Sequence, residues 1–476
     1  MVRRAPGVGA GVRNSLVWFR RDLRLTDNPA WAAATSAADQ VVALFVVDPL
    51  PLSQAGGRRR DLLAAHLRAL DHELRSRGGG LLVLRGTPSE AVARAVAATG
   101  ADEVHVNADV SGYSVRRDAA VARALGEVPL TAHWGTLLRA PGTVVSAGTG
   151  QVHKVFTPFW KAWADTPLEP WPEPGPGSAW LPDGLGEDLP VVTGEPVMPG
   201  GEHAAHGRLA AWLDEVDGYP DRRDLPADGT GTSHLSADLR FGTLSPRHVA
   251  EVVGGATKGR AAFVRQLAWR DWYAHLLAER PALSRHAMKP EMDRIEWRND
   301  PDELAAWQEG RTGYPVVDAG MRELAATGWM HNRVRMIAAS FLVKDLLVDW
   351  RLGEAHFRRE LVDFEVSQNV GNWQWVAGTG PDSSPYFRIF NPVMQGRKFD
   401  AAGEYVRRWV PELAGLPDKA LHAPWEAGPL ELAAAGVELG TTYPEPMVDH
   451  SFARERTLAA YSLARGTAVE PFQGEG

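Results

Sequence analysis

Short runs of valine and leucine alternate with segments of helical period in the first part of the chain, and this alternation constrains the fold more than any other feature. Between Ser15 and Trp134 the apolar runs are SLVWF, VVALFVV, GLLVLRG, EVHVNAD and PLTAHW. Segments such as DLLAAHLRALDHELRSR and PSEAVARAVAATG separate them and place apolar residues at helical spacing. This pattern predicts a parallel sheet covered by helices on both faces. No GxGxxG follows the first run, so the sequence offers no ordinary dinucleotide fingerprint.

The pattern changes twice further along the chain. From about Leu137 to Glu202 the sequence is rich in proline and glycine, which predicts a long connection that lies over the surface. After His203 the segments GRLAAWLDEV, AAFVRQLAWRDWYAHLLAER and VVDAGMRELAATG carry helix-spaced apolar faces. The 476 residues also exceed what a single core usually supports. We therefore expect a loose tail at 1–14, an α/β domain at 15–136, a linker at 137–202 and a mainly α-helical domain at 203–476.

Composition excludes several kinds of chemistry. The chain has no cysteine, which excludes disulfides, thiolate nucleophiles and cysteine-ligated metals and suits a reducing cytoplasm. No run of about 18 apolar residues indicates a membrane span, and the opening MVRRAPGVGAGVRN lacks the apolar core of a signal peptide. The net charge of −8 leaves nucleic acid open as a partner, because local basic clusters bind phosphates even in an acidic protein. We expect a cytoplasmic monomer with no metal and no membrane partner.

Polar side chains interrupt an otherwise apolar helical stretch between Gly328 and Trp375. The stretch contains tryptophans, arginines, acids and an asparagine. Buried polar groups cost several kcal/mol each unless they are paired, so their concentration predicts a functional site.

This stretch closely resembles the flavin-binding region of the DNA photolyase/cryptochrome family, together with GYPVVDAGMREL before it and SSPYFRIFNPVMQGRKFD after it. The resemblance also includes VWFRRDLRLTDNPAW, VFTPFWKAW and YPEPMVDHSFARERTLAAY, covers nearly the whole chain and is strongest to the class I cyclobutane pyrimidine dimer photolyases. It implies an N-terminal α/β antenna domain of Rossmann-like type and a helical domain that binds FAD. It further implies that light drives an electron from reduced FAD into a pyrimidine dimer of UV-damaged DNA, which splits and returns the electron.

The resemblance also implies which residues contact FAD. Asn369 matches the asparagine at flavin N5, and Arg335 with Asp363 matches a salt-bridged pair, although a buried pair of this kind could equally be structural. Glu365 stands where an aspartate is usual, which keeps the charge and lengthens the reach. The remaining matching positions are Tyr219, Thr232, Ser233, Leu235, Ser236 and Arg270.

The segment GTGTSHLS suits the pyrophosphate of such a cofactor. A pyrophosphate needs backbone N–H groups, hydroxyls and positive charge, and this segment with the nearby Arg223 supplies all three. Read alone, a cluster of glycine, serine and threonine is more often a solvated turn. The matched blocks around it favour the cofactor.

Three of the eighteen tryptophans match the family's electron-transfer chain, and we expect most of the others to serve packing. Trp373, Trp350 and Trp297 match the residues that carry electrons from the surface to an oxidised flavin. Tryptophan suits this role because its large π system can lose an electron. The implied function is photoreduction of the cofactor, separate from repair.

The lesion must leave the duplex to approach the flavin, which requires a pocket with aromatic walls and a basic rim. The matching pocket residues are Trp269, Trp375, Met336 and Asn332, and Gln266 stands where class I enzymes usually have a glutamate. The matching rim residues are Arg333, Arg388 and Lys398, with Arg223, Arg397, Arg407 and Arg408 adding positive charge. For an isolated run, the alternative of an ordinary solvated face would be favoured.

Two questions stay open at this point. Asp109 and Arg240 resemble the acid and base that hold an 8-hydroxy-5-deazaflavin antenna, whereas LSRHAM lacks the Cys-Lys of the type that binds 5,10-methenyltetrahydrofolate; an empty antenna site is a further alternative. The second question is whether the chain repairs DNA or is a cryptochrome-like photoreceptor that binds FAD without repair. Because only a short polar tail follows MVDHSFARERTLAAY, we expect the enzyme. A dark flavin oxidoreductase is poorly supported, since no nicotinamide fingerprint is present.

Overall fold

A computed structural model describes residues 12–383, 385 and 387–466. The chain divides into two compact units. The first contains the described residues up to Ala140, with Thr166–Gly207 and Leu235–Val252. The second contains Pro141–Asp165, Arg208–His234 and the described residues from Val253 onward. The predicted fold class, an α/β part followed by a mainly helical part, is confirmed, while the domain bounds expected from composition stay a prediction.

One parallel sheet organises the first unit. Its strands are β1 (Asn14–Phe19), β2 (Gln40–Val47), β3 (Leu81–Arg85), β4 (Glu103–Asn107), β5 (Leu130–His133) and β6 (Ser178–Ala179). Their order is β3-β2-β1-β4-β5, and β6 pairs with β2. Because β1 lies between β2 and β4, the winding direction reverses at the β1/β4 pair. The loops after β1 and β4 therefore meet at the carboxyl edge of the sheet, where ligands of such folds usually bind.

The remaining elements are mostly helices. In chain order the α-helices are α1 (Pro29–Ala37), α2 (Pro49–Ser53), α3 (Gly57–Ser76), α4 (Pro88–Thr99), α5 (Gly112–Leu125), α6 (Phe156–Asp165), α7 (Glu202–Glu215), α8 (Tyr219–Arg222), α9 (Ser236–Phe241), α10 (Pro246–Val253), α11 (Lys258–Glu279), α12 (Pro301–Gln308), α13 (Pro315–Thr327), α14 (Asn332–Ser340), α15 (Trp350–Glu360), α16 (Val366–Ala377), α17 (Pro392–Phe399), α18 (Glu404–Trp409), α19 (Asp418–Leu421), α20 (Pro429–Ala434) and α21 (His450–Arg465). Short 3-10 helices occur at Val216–Gly218, Pro281–Ser284, Pro290–Arg294, Pro411–Leu413 and Pro424–Glu426, and a π-helical turn at Phe341–Asp345. No helix in the described ranges is long and apolar enough to cross a membrane.

Helices α14, α15 and α16 pack around the largest core of the second unit. His331 caps α14 by accepting a hydrogen bond from the backbone N–H of Arg333 on Nδ1 at 3.1 Å. Asp349 caps α15 in the same way through the N–H of Arg351 at 3.0 Å. Gly378, with a φ of 76°, ends α16 in the left-handed conformation. These caps fix where each helix begins or ends, and so which side chains face the space among them.

Candidate functional site

A cavity open to solvent lies among α14, α15 and α16. It brings together residues that the sequence assigns both to the flavin and to the lesion. Its lining residues are Asn332, Arg335, Met336, Ala339, Phe357, Leu361, Asp363, Phe364, Glu365, Gln368, Asn369, Asn372, Trp373 and Val376. Half of these residues are apolar and half are polar or charged, so the wall combines apolar packing surface with several convergent polar groups, a combination that cofactor sites use.

Arg335 and Asp363 form a salt bridge at the wall of this cavity. The two hydrogen bonds measure 2.8 Å and 3.2 Å, and Nε of Arg335 donates to the backbone oxygen of Met330 at 2.7 Å. The Asp363 carboxylate is only 4% exposed, so its charge depends on this partner. The pair therefore presents a fixed guanidinium whose positive charge can balance an anionic ring in the cavity.

A second buried ion pair joins Glu365 to Arg270 on α11. Nη2 of Arg270 lies 3.1 Å from Oε2 of Glu365, and both side chains are less than a tenth exposed. The next turn of α16 reinforces the contact, because Gln368 donates to the backbone oxygen of Arg270 at 2.8 Å. The side chain of Glu365, one methylene longer than that of an aspartate, thus binds α11 through Arg270.

Asn369 is held by a residue that the sequence did not indicate. Its Nδ2 donates to the backbone oxygen of Glu354 at 3.1 Å and to Oε1 of Glu354 at 2.9 Å. Glu354 is itself buried and pairs with Arg358 one turn further along α15. In the sequence Glu354 and Arg358 look like an exposed i,i+4 pair, which is why no signal marked this glutamate.

The three predicted electron-transfer tryptophans lie on different elements and differ in burial. Trp373 on α16 is buried and packs edge-on against Phe357, with ring centroids 5.0 Å apart. Trp350, at the start of α15, is also buried, whereas Trp297 before α12 is half-buried and packs against Tyr461 at 6.2 Å. The set therefore includes a member on the cavity wall and a member that reaches solvent.

The predicted pyrophosphate positions are divided between the two units. Tyr219, Thr232 and Ser233 belong to the second unit, and Leu235 with Ser236, the first residue of α9, to the first. The Thr232 hydroxyl oxygen is buried and has no hydrogen-bond partner among the residues that the structure describes. Buried polar atoms are nearly always satisfied, so this hydroxyl fits a ligand oxygen.

Aromatic contacts fix the first of the predicted lesion residues. Trp269 stacks on Phe156 of α6 with ring centroids 3.7 Å apart and planes at 14°. Trp269 and Trp375 are both half-buried, which leaves part of each side chain accessible. Gln266 donates from Nε2 to the backbone oxygen of Ala262 at 3.2 Å, so its amide nitrogen is bound by its own helix.

The predicted rim cations differ in their pairing. Arg333 forms a salt bridge with Asp224 at 2.8 Å and lies 4.4 Å from the centroid of Phe399. Arg397 and Arg407 are paired with Glu426 and Asp418. Arg388, Lys398 and Arg408 are exposed, Lys398 lies over Phe399, and Arg223 lies over Tyr219. The exposed members are the most available for phosphate contacts.

In the first unit, Asp109 lies in the crevice after β4 and is bound by Arg21, which follows β1. Nη1 of Arg21 lies 3.0 Å from Oδ1, and Ser114 donates to Oδ2 at 3.0 Å. Burial opposes ionisation of this carboxyl, but the charges of Arg21 and Arg117 outweigh it and hold the pKa of Asp109 below its usual range. Arg240, the other predicted antenna residue, lies in the last turn of α9 in the same unit. The sequence did not indicate Arg21.

Metal ligands are not clustered in the described ranges, where no group of three histidine or acidic side chains could hold an ion. The expectation that the protein works without a metal stays a prediction.

Comparison with known proteins places this geometry in context. Residues 15–176 match the family model for DNA photolyase, and residues 263–463 match that for the FAD binding domain of DNA photolyase. The chain is 44% identical to the deoxyribodipyrimidine photo-lyase of Streptomyces griseus, over 95% of this chain and 99% of that protein. It is 41% identical to that of Escherichia coli K12, over 94% and 98%. A class III photolyase from Agrobacterium tumefaciens superposes with a TM-score of 0.89 at 38% identity, over 98% of this chain and all of that one.

Proposed function

Because this chain belongs to the DNA photolyase family and acts as a deoxyribodipyrimidine photo-lyase, we propose that the cavity among α14, α15 and α16 holds the flavin ring of its FAD. The residues present fit that group: a charged pair and an oriented amide stand among apolar and further polar side chains of the wall, and the buried Thr232 hydroxyl is left for a ligand oxygen. When bound, reduced FAD excited by light supplies the electron that opens the cyclobutane ring and receives it back.

Two side chains prepare the cavity for a reduced flavin. Arg335 supplies a positive charge near an anionic ring, and Asp363 fixes the direction of its guanidinium. Asn369 commits Nδ2 to Glu354 and therefore offers Oδ1 as an acceptor, which suits the N–H that a reduced flavin carries at N5. Both contacts favour the reduced cofactor.

Trp373, Trp350 and Trp297 form our proposed route for light-driven reduction of oxidised FAD. Support comes from their match to the family chain, from the position of Trp373 on the cavity wall and from the partial exposure of Trp297. One electron moves along the route for each absorbed photon, and an external reductant replaces it at the surface.

The DNA substrate would bind by lesion packing and phosphate contacts. In this proposal Trp269, Trp375, Met336 and Asn332 supply the pocket, and Gln266 on α11 supplies an amide. The exposed Arg388 and Lys398, with Arg333 and Arg223, supply positive charge for the phosphates. Asn332 and Met336 both line the flavin cavity, which supports contact between lesion and flavin. The match of these positions to the class I dimer enzymes supports membership of that class.

We propose further that Asp109 and Arg240 hold an 8-hydroxy-5-deazaflavin antenna. Support comes from the position of Asp109 where the sheet winding reverses, a common ligand site, and from its ionised state beside Arg21.

We also propose that the protein is a cytoplasmic monomer. Cysteine-free composition supports the cytoplasm, and sedimentation at the chain mass of 51.8 kDa would test the monomer.

The observation that carries the cofactor proposal is the convergence of Asn369, the Arg335–Asp363 pair and Trp373 on one cavity. An absorption spectrum of the purified protein before and after blue light tests it, followed by addition of single-stranded DNA containing dimers. We expect an oxidised flavin band that bleaches in light, and dimer loss that needs further light. Asn369→Leu should alter the bleaching, whereas Gln54→Leu, at an exposed position of the first unit, should not. A protein that bleaches but leaves dimers intact would instead behave as a photoreceptor.

A further inference from the structure

Helix α15 has a glycine where it faces α16. A Cβ at Gly353 would lie 2.2 Å from Cη2 and 2.6 Å from Cζ3 of Trp373, closer than the 3.0 Å below which real Cβ contacts essentially never fall. It would also lie 2.6 Å from Cδ2 of Leu342, but that methyl group ends a flexible side chain and can rotate away. A fused indole ring cannot bend. The indole of Trp373 therefore occupies the space that a side chain at position 353 would need.

Residues close to Gly353 on α15 also contact α16. Glu354 binds Asn369, one turn before Trp373 on α16, and Phe357 packs edge-on against the Trp373 ring at 5.0 Å. Trp350 begins α15 three residues before Gly353. Helix α15, of eleven residues, thus contains both Trp350 and the glycine that makes room for Trp373.

We propose that Gly353 is a positioning residue for light-driven reduction of the cofactor, because its missing side chain seats Trp373 and fixes the separation of Trp373 from Trp350. This role rests on the proposed route through these tryptophans. One electron passes from Trp350 to oxidised Trp373 with no bond made or broken, and an added thiol replaces the electron lost at the surface. The rate of such a transfer falls exponentially with the separation of donor and acceptor, so a displaced indole slows it. No other residue type leaves room for the indole.

The test compares Gly353→Ala with the matched variant Gly371→Ala. Gly371 lies on α16 itself, and a Cβ there would meet the Tyr273 ring at 2.2 Å, so the control crowds the same helix without touching Trp373. The readouts are FAD retention, the bleaching rate of oxidised flavin under blue light with thiol, and dimer repair by chemically reduced protein. We expect Gly353→Ala to slow bleaching several-fold more than Gly371→Ala does, while its repair stays close to wild type. Bleaching at the wild-type rate would overturn the proposal.

A second measurement decides the matter if Gly353→Ala does not retain FAD. Phenylalanine lacks the outer indole ring, so Trp373→Phe should make room for the new methyl group. We expect Gly353→Ala to lower the unfolding temperature strongly in wild type and little in the Trp373→Phe background, and FAD to be retained there. An equal loss of unfolding temperature in both backgrounds would show that Gly353 does not make room for Trp373 and would overturn the proposal. Normal bleaching by the single variant Trp373→Phe would instead refute the electron route. The dependence of Gly353→Ala on residue 373 would then report packing only.

Discussion

Glu354 accepts two hydrogen bonds from the side-chain amide of Asn369, one on its backbone oxygen at 3.1 Å and one on Oε1 at 2.9 Å. An amide held by its nitrogen in this way cannot turn over. Its oxygen stays an acceptor, whatever the redox state of a neighbouring ring. In the proposed flavin site, a glutamate on α15 would therefore contribute to the preference for a reduced ring.

Replacing Glu354 by glutamine should weaken this control. Glutamine can donate as well as accept, so Asn369 would lose its single orientation, and a net hydrogen-bond contribution of about 0.5–1.5 kcal/mol is at stake. We expect reduced flavin to reoxidise in air roughly 2- to 12-fold faster, which is that energy expressed as a rate. Stopped-flow absorption would measure it. Glu360→Gln, at the end of the same helix, is the control, and equal rates in all three proteins would contradict the role of Glu354.

Trp373→Phe should separate photoreduction from repair. Phenylalanine is much harder to oxidise than tryptophan, so bleaching of oxidised flavin should be abolished or greatly slowed. Chemically reduced protein should still repair dimers. Trp409→Phe, a partly buried tryptophan packed against the same core, should leave both activities in place. Equal loss of both activities in Trp373→Phe would remove it from the route.

Acid should destabilise the helical unit through His331. Burial lowers the pKa of His331 to about 4 from an ordinary value of 6.5. Below pH 6.5 the unfolded chain therefore binds more protons at this residue than the folded one, and the free energy of unfolding falls as pH drops from 6.5 to 4. The full effect is about 3 kcal/mol.

The variant His331→Asn isolates this contribution. Asparagine can still cap α14 but does not titrate. Urea unfolding of both proteins across this pH range should give a flatter dependence for the variant, even if its stability at pH 7 is lower. Parallel curves would mean that His331 does not carry the effect.

The antenna proposal predicts a choice between chromophores. Reconstitution with 8-hydroxy-5-deazaflavin should give a stoichiometric band and energy transfer to FAD, and Asp109→Asn should abolish both because Arg21 loses its carboxylate. Asp102→Asn, on the loop before β4, should bind as wild type does. Tight folate binding that does not depend on Asp109 would overturn the assignment.

Replacing Gln266 by glutamate should keep or raise the affinity of the lesion pocket for DNA that contains a dimer. A cyclobutane dimer needs only electron donation and return. The photolyases that repair a different UV lesion, the (6-4) photoproduct, resemble one another in placing a histidine in the lesion pocket for proton transfer, whereas this chain has Asn332 and Met336 in the dimer-type positions. In Gln266→Glu the side chain can no longer donate to the Ala262 oxygen and should turn towards the pocket. We expect dimer DNA to bind equally well or up to roughly tenfold more tightly, within the energy of one hydrogen bond. Titration with dimer and (6-4) DNA would measure it, and repair of (6-4) lesions alone would contradict the pocket assignment.

The strands were predictable because a parallel sheet buries both faces of each strand. The runs SLVWF and EVHVNAD coincide with β1 and β4 to within about two residues. By contrast, the Pro/Gly-rich region 137–202 includes α6 and β6, which a composition averaged over the whole region conceals. The helix FTPFWKAWAD is short, and its contact with Trp269 depends on residues far along the chain.

The site was predictable only in part for a similar reason. The expected salt bridge of Arg335 with Asp363 is present, although its role towards the flavin stays a prediction. Glu354 and Arg21 gave no sequence signal, because each looks like an ordinary surface charge and its importance comes from the partner that folding supplies. Spacing along a helix reports which residues share a face, but not which helix that face will meet.

Arg21 and Asp109, which we propose act at the antenna site, lie on loops after β1 and β4 and outside the strands of the sheet. The strands themselves carry the buried apolar core, while the residues that would discriminate one pigment from another lie beyond their ends. With an antenna held as we propose, substitutions at these loop positions should change which chromophore binds, while the apolar core of the strands stays in place.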